Sequence, residues 1–310
     1  MAPRFSWMDG RLVPWEESTL HINTEAVLRG ASVFEGIRAY RGAGDDLLLF
    51  RVEDHLRRLF HTSMRFLRMR LRYDAVDLTK AMCALVEANE VRSDAHIRVV
   101  VYFDELRFGH ERESETGAFI VVNEGMALTS GTMRVTLSPW RRLSDVAMAP
   151  RVKASANYVN SRIAIADAHT KGFDTAILLN DRGKVSEGPA MNLFLVRNGV
   201  LITPRVTDGI LEGITRDTVI RLAGDASTPV QEREVDATEL YVADELFFCG
   251  TAYEVTPIVE IDGYEVGGGK PGPVTERIRD AYFDMVRREA PAPDGWITSV
   301  RDTLASSKLT

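Results

Sequence analysis

The segment Arg151-Val-Lys153-Ala-Ser-Ala-Asn-Tyr158 sets a lysine at the end of a short polar run, and a helical pattern begins just after it. Three further segments follow in order: Val185-Ser-Glu187-Gly-Pro-Ala-Met-Asn192-Leu-Phe, Leu211-Glu-Gly213-Ile-Thr215-Arg-Asp217, and Gly250-Thr251-Ala-Tyr-Glu-Val-Thr-Pro257. Together they offer an amine nucleophile, a carboxylate and two glycine-threonine turns. None is decisive alone. Taken in order the set is specific, and any fold for this chain has to bring all of it to one ligand.

An amine at Lys153 could attack an aldehyde, and its neighbours Val152, Ala154, Ala156 and Tyr158 are small or apolar, as a pocket for such an amine requires. The ordinary alternative is an exposed loop lysine. Tyr158 sits where its hydroxyl can turn back towards the same ligand. Glu187 follows the turn Asp181-Arg-Gly183-Lys and precedes Gly188. Beside a ring nitrogen, a carboxylate there would keep the nitrogen protonated and the ring electron-accepting. A solvated hairpin glutamate is the bland alternative. Gly213-Ile-Thr215 opens a predicted helix, whose first amides and dipole favour an anion, although Thr and Asp are also everyday helix starters. Gly250-Thr251 follows the strand-like Leu246-Phe-Phe-Cys249 and would form a second phosphate turn. These are the parts needed to hold pyridoxal 5'-phosphate, and they point to amino-group chemistry.

At 310 residues the chain exceeds the size at which a single core usually stops growing, so two domains are expected. Apolar content of 45% suits a globular protein, and no stretch approaches the roughly 18 apolar residues of a membrane span. The start, Met-Ala-Pro-Arg-Phe-Ser-Trp, lacks the long apolar region of a signal peptide. Only Cys83 and Cys249 are present, and no cysteine-histidine cluster has zinc spacing. The expectation is a cytoplasmic protein with neither a disulfide framework nor a metal. A net charge of −7 argues against nucleic acid as the main partner.

Residues 1–125 read as a small mixed domain, 126–132 as a linker and 133–310 as a larger domain. Strands are expected at Gly36–Tyr40, Leu47–Phe50, His96–Phe103 and Gly117–Asn123 in the first part. Helices are expected at Asp54–Arg70, where Leu56, Leu59, Phe60, Met64 and Leu67 keep a helical period, and at Leu78–Glu90. In the second part strands are expected at Met133–Leu137, Thr175–Leu179, Asn192–Val196, Pro229–Glu234 and Glu245–Phe248, and helices at Tyr158–His169, Thr215–Leu222 and Gly272–Arg288. The Pro-rich, polar last twenty residues read as a weakly specified tail.

With these motifs assembled, the chain resembles the class IV pyridoxal phosphate aminotransferases, most closely the branched-chain amino acid aminotransferases, from Trp7-Met-Asp-Gly10 to about Trp296. The most specific segment is Ser32-Val-Phe34-Glu-Gly36-Ile-Arg38, followed by His55-Leu-Arg-Arg58-Leu and the four motifs above. The resemblance implies a two-domain α+β fold of type IV, with a small N-terminal α/β domain and a larger pseudo-barrel domain. It implies that Lys153 carries pyridoxal 5'-phosphate, that Glu187 pairs with the ring nitrogen, and that Tyr158 meets the phenolic oxygen. Arg58, Ile214, Thr215 and Thr251 would hold the phosphate. Phe34, Gly36, Arg38 and Arg98 would line the substrate pocket, with Thr251 and Ala252 amides on a substrate carboxylate. A homodimer, or a higher homo-oligomer, is implied as well.

Two positions depart from the pattern. Branched-chain enzymes usually carry tyrosine where this chain has Arg29, and commonly tyrosine where it has His96. Both belong to the expected substrate rim and make it more polar. Arg29 is either a further carboxylate clamp or an outward residue paired with Glu25 or an acid of a partner chain. Arg107 and His110, in the loop Asp104–Glu113, are also within the range of chain that could reach a substrate. The expected reaction passes an amino group from a branched-chain or similar hydrophobic amino acid to 2-oxoglutarate in a ping-pong sequence. A D-amino acid or (R)-amine transaminase is the sibling reading. An aminodeoxychorismate lyase-like enzyme, and a non-enzyme with accidental motifs, are the more distant ones.

Overall fold

In the computed structural model, the Val-rich run expected as a strand is Ala95–Phe103. It pairs antiparallel with Ser32–Arg41 on one side and with Ser114–Glu124 on the other. The structure describes residues 2–42, 44, 46–104, 114–125 and 131–307. The loop residues Arg107 and His110 lie outside them.

The described residues within Met1–Met126, Val152–Ala156 and Asp284–Thr310 form one compact unit; those within Ala127–Arg151 and Asn157–Phe283 form another. The first is built on a sheet in the spatial order Ile297–Ser299, Leu47–Phe50, Ser32–Arg41, Ala95–Phe103, Ser114–Glu124, Phe5–Met8 and Arg11–Pro14. Val33, Ile37, Ala39, Ile97, Val99 and Val101 are fully buried in it. The helix expected from Asp54 starts at Val52, after Arg51 in a left-handed conformation. It runs as α-helix to Arg58, as a π-helical stretch over Leu59–Met64, and as α-helix again over Arg65–Leu67. π-Turns of this kind collect at functional sites, because the extra residue re-aims neighbouring side chains. The next helix, Ala75–Ala88, opens on a reciprocal capping box between Asp74 and Asp77.

The second unit is also built on a mixed sheet, in the order Val230–Glu232, Val200–Thr203, Asn192–Arg197, Glu245–Gly250, Glu254–Ile261, Met133–Leu137 and Thr175–Ile177. The Phe194 and Phe247 rings stack at 5.1 Å within its core. Burying such a side chain contributes roughly 1.5–3 kcal/mol. The helices Tyr158–Thr170 and Ile214–Asp225 fall within a few residues of their expected positions. Among the described residues, no helix is long and apolar enough to cross a membrane.

Two expectations need correcting. Among the last twenty residues, those described are not a loose tail. Ile297–Ser299 pairs antiparallel with Leu47–Phe50, and a helix follows over Val300–Ser307. Long-range contacts order them: Arg51 stacks on Trp296 at 4.2 Å, and Ser299 Oγ donates to Asp46 at 2.6 Å. Nor does everything beyond the linker expected at 126–132 pack as one unit. Residues 152–156 and the described residues from Asp284 onward belong with the first unit, where Phe34, Ser63, Asp94 and Leu47–Phe50 are among their hydrogen-bond partners.

Candidate active site

Lys153 is anchored to the first unit by its backbone on both sides. Its N–H donates to Ser63 Oγ at 3.1 Å, and its carbonyl accepts from Phe34 N–H at 3.0 Å. Ala154 bridges antiparallel to Val33, and Ser32 Oγ donates to Ser155 Oγ at 2.7 Å. The strand Ser32–Arg41 is paired by Leu47–Phe50 only over Ala39–Arg41, so its earlier half has an edge left for the lysine segment. Ser63 lies in the π-helical stretch, which brings its hydroxyl to the Lys153 amide. The half-buried lysine side chain places Nζ 5.0 Å from the centre of the Phe34 ring.

Strand alternation puts Phe34, Gly36 and Arg38 on one face and Glu35 and Ile37 on the other. Register places Gly36 opposite Arg98 and Arg38 opposite His96, so those two join the first face. Arg98 lies 5.0 Å over the Phe34 ring. Five residues expected at the substrate rim thus share one sheet face with the Lys153 amine beside it. His96 is almost fully buried. A Cβ at Gly36 would stand 2.6 Å from His96 Nε2, so the imidazole occupies the space the glycine leaves open. Burial, and then the cations Arg98, Arg38 and Lys153, push His96 down to about 3, so the ring is neutral near pH 7. Arg29 ends the helix Glu25–Arg29 and forms an ion pair with Glu25 at 3.7 Å.

The opposite sheet face holds a group that the sequence reading did not assign. Glu35 is fully buried and takes Arg58 in a bidentate grip, Nε to Oε1 and Nη2 to Oε2, both at 2.7 Å. His55 Nδ1 meets Glu35 Oε2 at 2.8 Å. Burial alone would raise the Glu35 carboxyl, but Arg58 and His55 outweigh it and hold the group down to about 2. Burial also lowers His55, so the neutral ring donates through Nδ1 to an acceptor-only carboxylate.

In the second unit the cluster is organised by Asn192. Its Nδ2 donates to Glu187 Oε2 at 2.8 Å and to the Leu211 carbonyl at 3.0 Å. Arg142 Nε donates to Glu187 Oε1 at 2.7 Å, and the Leu211 N–H reaches Oε2 at 3.1 Å. Glu187 is therefore a buried carboxylate matched by a guanidinium and two further donors, not a solvated hairpin residue. A Cβ at Gly213 would overlap Asn192 Oδ1, so glycine is needed there for space. The helix Ile214–Asp225 then starts at an N-cap that has no side chain to bond its first amides, with Thr215 buried in its first turn. Asn192 stands opposite Cys249 across the sheet. This brings Glu187, the start of that helix and the Gly250-Thr251-Ala252 turn to one end of the unit. Burial raises the Tyr253 hydroxyl in this turn, and Tyr158 adds to the shift.

Of the expected residues, then, Lys153, Arg58, Phe34, Gly36, Arg38, His96 and Arg98 are grouped in the first unit, and Glu187, Ile214, Thr215 and Thr251 in the second. Both donor sets suit a phosphorylated pyridine aldehyde: an amine beside an aromatic ring and a clamped arginine in one, a buried acid gripped by a guanidinium and a helix that starts at a glycine in the other. Sequence reasoning missed Glu35, His55, Ser63, Arg142 and Asn192. His55 and Arg58, three apart on a helix, share a face, and that spacing was the available signal for the Glu35 group. Asn192 stood within a quoted motif. Nothing in the sequence pointed to Arg142.

Comparison with known proteins finds relatives along nearly the whole chain. The profile of the amino-transferase class IV family matches residues 32–261. A probable branched-chain-amino-acid aminotransferase of Aquifex aeolicus is 39% identical over 303 residues, covering 96% of this chain and 97% of the relative. The crystal structure of a branched-chain aminotransferase from Thermoproteus uzoniensis with norvaline superposes with a TM-score of 0.91 at 40% identity, covering 96% and 99% of the two chains. That of the Thermobaculum terrenum branched-chain amino acid aminotransferase in its PLP form gives 0.90 at 41%, with the same coverage.

Proposed function

The chain belongs to the class IV aminotransferases, and from that premise we propose that it transfers the amino group of a branched-chain or similarly hydrophobic amino acid to 2-oxoglutarate, with pyridoxal 5'-phosphate as its cofactor. The observation that carries the reading is Lys153. A primary amine is held by backbone bonds to Ser63 and Phe34, beside a face that carries an aromatic ring and two arginines. The relatives' names support the substrate class, and the Thermobaculum structure in its PLP form supports the cofactor.

Bound cofactor would supply an aldehyde that takes up the amino group and a ring that accepts the electron pair left at the substrate Cα. The protein's own residues do the rest. Lys153 Nζ would hold the cofactor between turnovers and, when free, would take the substrate Cα proton as general base and give it back as general acid. Glu187, held by Arg142, Asn192 and the Leu211 amide, would pair with the ring nitrogen and keep its proton in place. Arg58, the Ile214 and Thr215 amides and Thr251 would hold the phosphate. Phe34 and the Gly36–His96 surface take an apolar side chain. Arg38 and Arg98 on that same face suit the second carboxylate of 2-oxoglutarate. Parking the amino group on the enzyme between two oxoacids gives ping-pong kinetics.

A homodimer or higher homo-oligomer in the cytoplasm completes the proposal. Each unit taken alone exposes apolar side chains that suit a subunit contact, Ile22, Val27 and Leu28 in the first and Val146, Val159 and Ile163 in the second. Borohydride reduction followed by peptide mapping is expected to place the cofactor label on Lys153, and a label elsewhere defeats the reading. A panel of L-leucine, D-alanine and (R)-1-phenylethylamine with 2-oxoglutarate then fixes the donor. Turnover of L-leucine is expected; turnover confined to the other two establishes the sibling transaminase.

A further inference from the structure

We propose that Glu35, braced by His55, is a positioning residue that aims the Arg58 guanidinium at the cofactor phosphate. The inference rests on the assignment of Arg58 to that phosphate. A guanidinium is planar, with its donors in a rigid fork. Glu35 grips one edge of the fork through Nε and Nη2, and planarity then fixes the direction of the opposite edge, which carries Nη1. Glu35 is itself immobile. It sits in the interior of the strand Ser32–Arg41, fully buried, with Oε2 also held by His55. His55 and Arg58 lie three residues apart on the helix Val52–Arg58, so one carboxylate ties two points of that helix to the sheet just before the π-helical stretch that carries Ser63. The Lys153 anchor and the Arg58 clamp are therefore set by one short run of chain.

Two effects oppose each other at Glu35. Its negative charge subtracts from the field Arg58 offers to an anion, while its grip removes the need to order a long side chain when the phosphate arrives. The grip dominates, because the opposing atoms match only when residue 35 is a carboxylate. In Glu35→Gln the amide nitrogen is a donor set against an Arg58 or His55 donor, and the one remaining oxygen cannot serve Nε, Nη2 and His55 together. Arg58 then loses its fixed direction as well as its partner.

The test strips cofactor from the holoenzyme and titrates it back with pyridoxal 5'-phosphate or with pyridoxal, which lacks the phosphate, following quenching of intrinsic fluorescence. Glu35→Gln is expected to weaken pyridoxal 5'-phosphate about tenfold or more while leaving pyridoxal binding nearly unchanged. A merely structural role would weaken both alike. An equal loss for both ligands, no loss, or tighter phosphate binding overturns the proposal. If Glu35→Gln does not fold, Glu35→Asp keeps the charge and draws the carboxylate back, and the same phosphate-selective loss is expected in smaller measure. Arg58→Met checks the premise separately. If it too fails to discriminate between the two ligands, the phosphate assignment of Arg58 falls, and this inference with it. If it discriminates and the Glu35 variants do not, only the inference falls.

Discussion

Gly213→Ala tests whether the cluster in the second unit is built around Asn192. The backbone does not call for glycine at 213, since φ of −74° and ψ of 129° are open to any residue. At such a position a Gly→Ala exchange ordinarily stabilises by about 0.4–1 kcal/mol, through the entropy of the unfolded chain. Space predicts the opposite sign. The new Cβ would overlap Asn192 Oδ1 and lie 3.2 Å from Arg216 Cβ. Asn192 cannot move without releasing Glu187 and the Leu211 carbonyl. Losing one hydrogen bond to a charged acceptor costs about 1.5–3 kcal/mol, and one neutral bond about 0.5–1.5 kcal/mol. A net destabilisation of about 1–4 kcal/mol is therefore expected, read as a lower midpoint in urea unfolding with an unchanged slope. In an Asn192→Ala background the overlap is gone, and the same exchange should be neutral or stabilising, which makes the pair strongly non-additive. A Gly213→Ala enzyme as stable as the parent would refute the argument.

Other expectations follow from the same contacts. Arg142→Met leaves the Glu187 carboxylate buried without its cation and should cost about 3–5 kcal/mol, with part recovered in the Glu187→Gln double variant; a loss under about 1 kcal/mol in chemical denaturation speaks against the clamp. Gly36→Ala sets a Cβ 2.6 Å from His96 Nε2 and should destabilise by about 1–3 kcal/mol of overpacking, relieved by His96→Ala; lack of relief means the imidazole is not what fills that space. His96 titrates near 3 when folded and near 6.5 when unfolded, so the unfolded chain binds the extra proton between those values and stability falls as pH drops through that window. The contribution approaches about 1.4 kcal/mol per pH unit. Glu35, held down to about 2, acts in the same direction below 4.5. Unfolding free energies at pH 7, 6 and 5 should therefore fall less steeply in His96→Gln, and parallel lines for parent and variant would count against the buried-imidazole account.

Local pattern carried most of the element assignments. The helices at 158–170 and 214–225 and the strands at 95–103, 192–197 and 245–250 lie close to where periodicity placed them, because hydrophobic period and helix starts are properties of neighbouring residues. The C-terminal strand and helix were misread for the complementary reason. Their order comes from Leu47–Phe50, Arg51 and Asp46, far away in the chain.

By itself the sequence determined which groups this protein has to work with: a lysine, an acid, arginines and two glycine-threonine turns, in an order that marks one kind of chemistry. Only the tertiary structure decided how each is held. Strand pairing carries Lys153 onto Val33 and Phe34, away from the unit of its chain neighbours. Alternation sends Glu35 to the face opposite Phe34, where it meets Arg58. Arg142 reaches Glu187 from a distant segment, and the Leu211 amide from another. Such contacts depend on register and on which faces meet. Both are set when remote strands hydrogen-bond, and no local run of residues encodes them.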